Sequence, residues 1–159
     1  MKNYIITLSK TFPVTHARAG QPTDFKKKFL AAINRDPNEW WKEHTIRGNY
    51  ERLSKWFEEI DRGEACLSVR EWEGLPYRSK QIELARLTRE DGIGMQKLSF
   101  DKDRDGCILY KFFDIDGRYA DIKDVANNDG LTFEDWREWF KSYDLSQPLA
   151  IIHFTPFRY

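Results

Sequence analysis

The apolar residues of this chain fall in short runs broken by polar turns, which restricts the fold to several short elements. Residues 3–8 are an apolar run suited to a buried strand, and residues 149–157 form a strongly apolar closing strand. Between them, helix-like and strand-like stretches follow one another. After a loop over residues 13–22, Asp24 is positioned to cap a helix carrying Phe25, Phe29, Leu30 and Ile33, with Lys26, Lys27 and Lys28 on its solvated face. Asn49 is positioned to cap a second helix that buries Leu53, Trp56, Phe57 and Ile60 and ends near Gly63.

Ala65, Leu67 and Val69 then alternate with Cys66, Ser68 and Arg70, the period of a strand. Gly74-Leu75-Pro76 turns into another strand over residues 79–87, and two or three more fit between Lys97 and Phe113. A short helix over residues 121–128 stops at Gly130. Thr132 caps the next, whose apolar face is Phe133, Trp136, Trp139 and Phe140. No internal repeat, low-complexity segment or linker interrupts the chain, so residues 1–159 read as one domain. Short strands with peripheral helices predict an α+β fold built on a small mixed β-barrel.

Charge narrows the function. Lys plus Arg and Asp plus Glu both number 26, so the formal net charge is zero. Extended, sequence-independent binding to duplex nucleic acid needs a strong basic excess and is disfavoured; a small site is not. The six Trp are read first as packing. Cys66 and Cys107 have no metal-ligand spacing and form no disulfide framework. No segment has the length of a signal peptide or a membrane span, so a reducing cytoplasm is the expected compartment.

Chemistry concentrates in Lys42-Glu43-His44-Thr45-Ile46-Arg47, which holds an amine, a hydroxyl and a guanidinium within six residues. Asn127-Asn128-Asp129-Gly130 adds a carboxylate in a turn before a helix. Lys42, Thr45 and Arg47, the strand 63–70 after a helix, and a late helix leading into Ile151-Ile152-His153-Phe154 occur in an order that resembles the ASCH family. The resemblance extends from about Lys42 to residue 159. Glu39, Trp40 and Trp41 stand where the family pattern has a Gly.

The resemblance implies a PUA-like barrel that binds RNA, a nucleotide or a modified nucleoside in a cleft, without a cofactor or metal. A branch of the family resembles amidohydrolases that deacetylate acetylated cytidine with Lys, Thr and Glu. Lys42 and Thr45 match the first two, and Asp129 falls near the third with a shorter side chain. In that role Thr45 is the nucleophile, Lys42 its base and Asp129 the group that orients Lys42.

A Lys base must be neutral. Bringing its pKa from about 10.4 to about 7 requires roughly 4–5 kcal/mol of differential interaction. Trp40 and Trp41 could desolvate the amine, while Glu43 would oppose that shift. On a regular strand Glu43, Thr45 and Arg47 share a face that Lys42 does not, so Lys42 reaches Thr45 only from a preceding loop or a bulge. The competing reading is an exposed Lys42, a β-favouring Thr45 and an ion-paired Arg47.

Arg47, Arg70, Arg78 and Lys80 form the candidate anion-binding set, with Arg47 and Arg70 on neighbouring barrel strands. Trp72 or Tyr77 is the candidate stacking platform for a base. Asp101-Lys102-Asp103-Arg104-Asp105-Gly106 imitates the start of a calcium loop, but Phe112 stands where the bidentate Glu belongs, so an acidic hairpin is expected. His16, His44 and His153 have no zinc spacing. A protein-interaction module using exposed aromatic residues ranks last.

Overall fold

A computed structural model describes the backbone of residues 1–159 and all side chains except those of residues 110–112, so Phe112 lies outside the described side chains. The elements run β1 (Lys2–Thr7), α1 (Phe25–Asn34), β2 (His44–Arg47), α2 (Tyr50–Asp61), β3 (Ala65–Trp72), β4 (Gln81–Leu87), β5 (Gly94–Lys102), β6 (Ile108–Ile115), α3 (Ile122–Asn128), α4 (Phe133–Phe140) and β7 (Leu149–His153). A single 3-10 turn, Arg89–Asp91, separates β4 from β5.

The expected small mixed β-barrel does not form. The strands make two open sheets, one of order β1-β3-β4 and the other of order β2-β7-β5-β6. In the first, β1 pairs parallel to β3 and β4 pairs antiparallel to it. The second is antiparallel throughout. Among the described residues no ladder joins an edge strand of the first sheet, β1 or β4, to an edge strand of the second, β2 or β6, and closure of a barrel requires such ladders on both sides. What crosses from β2 to β1 is a side chain: Arg47 Nη2 donates to the carbonyl oxygen of Thr7. Helix α2 packs against β3 of one sheet and against β5 and β7 of the other.

Other local expectations are refined. β3 is the middle strand of its sheet and is buried on both faces from Ala65 to Val69, so its alternation does not separate a wet face from a dry one. Asp24 precedes α1 with φ 57° and makes no side-chain cap; Thr23 Oγ1 accepts from Phe25 N instead. Asn49, Asp121 and Thr132 do cap their helices, accepting from the backbone N–H of Arg52, Lys123 and Asp135. The acidic loop is a hairpin turn, organised by Asp103 Oδ1, which accepts from Asp105 N and Cys107 N. No helix among the described residues is long and apolar enough to cross a membrane.

Lys28 departs from the solvated face expected of it. It is half-buried, its Nζ donates to the carbonyl oxygens of Thr23 and Gly130, and it lies 4.0 Å from the centre of the Trp40 ring. That clamp ties α1 to the turn after α3 and prepares the position of Lys42.

Candidate functional site

Two consecutive backbone bonds fix the segment that enters β2. Lys42 N donates to Lys28 O on α1, and Glu43 N donates to Asn128 O at the end of α3, at 3.0 and 2.8 Å. The segment is therefore held between two helices before the strand begins. Lys42 lies in that loop, before β2 begins at His44. Gly130, with φ 81°, turns the chain away directly after Asp129, a conformation that glycine adopts without steric cost.

The result is a contact across the fold. Lys42 Nζ donates to Asp129 Oδ1 at 2.7 Å and to the Asp129 carbonyl oxygen at 2.6 Å, and it lies 4.1 Å from the centre of the Phe25 ring. Lys42 is 1 % exposed, so it is not the solvated lysine of the competing reading. Burial pushes its pKa down, and Arg47 and Lys28 add to that, while Asp129 opposes it. Burial likewise pushes Asp129 up, against the attraction of Lys42 and Arg47. Trp40 and Trp41 are not among the residues that line the pocket around Lys42. Their indole N–H groups donate to Asn127 O and Asp36 O, and Trp40 covers Lys28. Glu43 points elsewhere and accepts from Thr155 Oγ1.

Thr45 and Arg47 line the same small pocket as Lys42 and Asp129. Its volume is about 30 Å³, room for no more than a few water molecules. Phe25, Trp139 and Tyr143 complete its aromatic wall. Phe25 also borders a broader depression of about 620 Å³, which includes Lys10, Lys26 and Lys27. Among the described residues no hydrogen bond joins Lys42 Nζ to Thr45 Oγ1. Among the described residues Arg47 has no carboxylate in ion-pair contact, and the hydrogen bond it makes is to the Thr7 carbonyl oxygen.

The remaining candidates lie on the other sheet. Arg70 is on β3 and Arg47 on β2, so the two are not on neighbouring strands. Arg70 Nε donates to Ser68 Oγ, and its Nη2 lies 3.8 Å from Glu83 Oε2. Trp72 and Tyr77 pack against each other with ring centres 5.1 Å apart and planes tilted by 49°, and Tyr77 is 89 % exposed at the tip of the β3–β4 hairpin. Arg78 and Lys80 are exposed on that hairpin. The anion-binding set therefore divides: Arg47 belongs to the pocket, and Arg70, Arg78 and Lys80 do not.

A polar network behind the pocket had no signal in residue spacing. Tyr159 Oη accepts from Asn128 Nδ2 at 3.0 Å and lies 2.6 Å from His44 Nε2. The Tyr159 oxygen can accept a second bond, so either ring tautomer of His44 satisfies this contact; with the phenol as donor, the His44 proton sits on Nδ1, 3.9 Å from Asp129 Oδ1. Gln96 Oε1 accepts from His153 Nε2 and from Tyr159 N. Burial, with His153 and Lys42 nearby, pushes His44 far below the usual histidine range. Burial and Arg158 push His153 down to about 3. Both rings are neutral at pH 7. Only the parity of β2, which turns His44 away from Thr45, hinted at this second layer.

Compared with known proteins, the chain matches no family model, no curated protein and no solved structure.

Proposed function

We propose that this is an ASCH-like RNA-, nucleotide- or modified-nucleoside-binding protein whose pocket takes the small polar end of its ligand. The observation that carries the proposal is the convergence of Lys42, Thr45, Arg47 and Asp129 on one pocket with an aromatic wall. A whole nucleoside exceeds about 30 Å³, so only a terminal group enters. The body of the ligand lies across Phe25 toward Lys10, Lys26 and Lys27, where a planar ring meets aromatic surface and phosphates meet amines. A reducing cytoplasm is its proposed compartment, consistent with the free thiols of Cys66 and Cys107.

A second reading is favoured by one observation: Lys42 is desolvated, and Thr45 beside it in the pocket has no hydrogen-bond partner for its hydroxyl among the described residues. In an amidohydrolase, Thr45 Oγ1 attacks the acyl carbonyl of an acylated nucleoside and its proton passes to neutral Lys42. The C–N bond breaks as that proton moves to the leaving amine, and water then hydrolyses the acyl-threonine ester. Asp129 orients Lys42. Ligand binding must first close the distance between the amine and the hydroxyl.

One experiment addresses both readings. Purified wild type, Lys42→Ala and Thr45→Ala are assayed for turnover of acetylated cytidine and for binding of cytidine nucleotides and short RNAs. Turnover lost in both variants supports the amidohydrolase. Binding without turnover, weakened by the same substitutions, supports the binding protein. Neither binding nor turnover overturns both readings.

A further inference from the structure

Charge balance within the pocket names the kind of group it takes. Lys42 and Asp129 are in direct contact and neutralise each other. His44 and His153 are neutral. Arg47 remains, a guanidinium drawn into the interior with a single hydrogen bond, from Nη2 to Thr7 O. Its Nε is buried without a partner. Its Nη1 also has no hydrogen bond among the described residues, but unlike Nε it is not sealed from solvent. The Thr45 hydroxyl is in the same condition and lines the same pocket.

A half-buried cation with no counter-charge in contact gives up hydration that nothing replaces, whereas a guanidinium matched to an oxyanion forms the strongest of the common hydrogen bonds. We infer that the pocket is an oxyanion subsite: Arg47 Nη1 and Thr45 Oγ1 hold an anionic oxygen of the ligand, from a carboxylate or a phosphoryl group. This inference rests on the pocket's being the ligand site. It adds that the ligand end is charged, which a neutral acylated base is not. The narrow volume agrees, since it admits the oxygens of such a group and leaves its substituent at the mouth beside Trp139 and Tyr143.

The alternative is that Arg47 serves only as a strut from β2 to Thr7, and the test separates the two. The Nε–H and Nη–H resonances of Arg47 are followed by NMR during titration of the protein with inorganic phosphate, acetate and neutral acetylated cytidine. Saturable shifts with phosphate or acetate are expected, and the tighter of the two identifies the chemistry. Arg47→Gln should weaken that anion at least tenfold, about the value of one charged hydrogen bond. Thr45→Val, which leaves the Thr7 strut intact, should weaken it several-fold and guards against a folding defect in the Arg47 variant.

Absence of saturable shifts with either anion overturns the inference. If acetylated cytidine nevertheless binds and neither anion displaces it, the ligand site stands without an oxyanion. If none of the three binds, the ligand-site assignment itself fails.

Discussion

Lys42 Nζ and Asp129 Oδ1 lie 2.7 Å apart although 87 residues separate them in the chain, and both side chains are almost wholly buried. An ion pair in such surroundings loses the hydration of both partners, and good geometry with further hydrogen bonds is what offsets that loss. Here the second bond, from Lys42 Nζ to the Asp129 carbonyl, supplies part of it.

Removing one partner strands the other. Lys42→Met should destabilise the protein by about 3–5 kcal/mol, and Asp129→Leu by a comparable amount. The double variant should lie well above the sum of the two, because neither charge is then left uncompensated. Urea unfolding of all four proteins measures the cycle; single variants of wild-type stability would contradict a buried, coupled pair.

Gly130→Ala tests the turn that aims Asp129. Its φ of 81° alone costs a Cβ-bearing residue about 1–2 kcal/mol. The new Cβ would also lie 3.3 Å from Lys28 Cδ and 3.4 Å from Lys42 Cβ. Gly117 has a similar φ of 78° with nothing near its missing Cβ, so Gly117→Ala reports backbone strain alone. Thermal unfolding should show the larger loss at Gly130, and equal losses would mean that Lys28 and Lys42 yield without cost.

The two buried histidines give the protein an acid sensitivity of defined sign. His153 is pushed down to about 3 and His44 far below its usual value, so the folded state refuses protons that the unfolded chain accepts near pH 6.5. Their stabilising contribution is complete above pH 6.5 and declines as pH falls toward 3. The slope is about 1.4 kcal/mol per pH unit for each ring. Unfolding free energies between pH 7 and pH 4 should show it, and His153→Gln should flatten the curve. Ring resonances of both histidines that titrate near pH 6.5 in the folded protein would refute the expectation.

Tyr159→Phe removes the hydroxyl between Asn128 Nδ2 and His44 Nε2. A buried ring nitrogen left unpaired should cost about 1–3 kcal/mol. Nitrogen NMR of His44 should show the proton on Nδ1 in the wild type and a mixture of tautomers in the variant. A wild-type proton on Nε2 would reverse the direction of the whole network.

The sequence determined the elements and some of their ends. Helical spacing in residues 50–61, the Asn49 and Thr132 caps, and the apolar closing strand are local properties, fixed by backbone geometry and side-chain period within a few residues. The same locality made Lys42, Thr45 and Arg47 legible as a cluster, since five residues of chain cannot separate them far.

Only the tertiary structure decided how those pieces meet. A closed barrel and two open sheets use the same short strands; the difference is whether the edge strands of the two sheets find each other, and strand sequences do not specify those partners. Arg70 looked like a neighbour of Arg47 for the same reason. The source of the Lys42 desolvation was likewise not local: Trp40 and Trp41 adjoin it in sequence, yet Phe25 and Asp129 are what contact its amine. Burial and electrostatic partnership depend on distances in space, and those arise from long-range packing that no local period encodes.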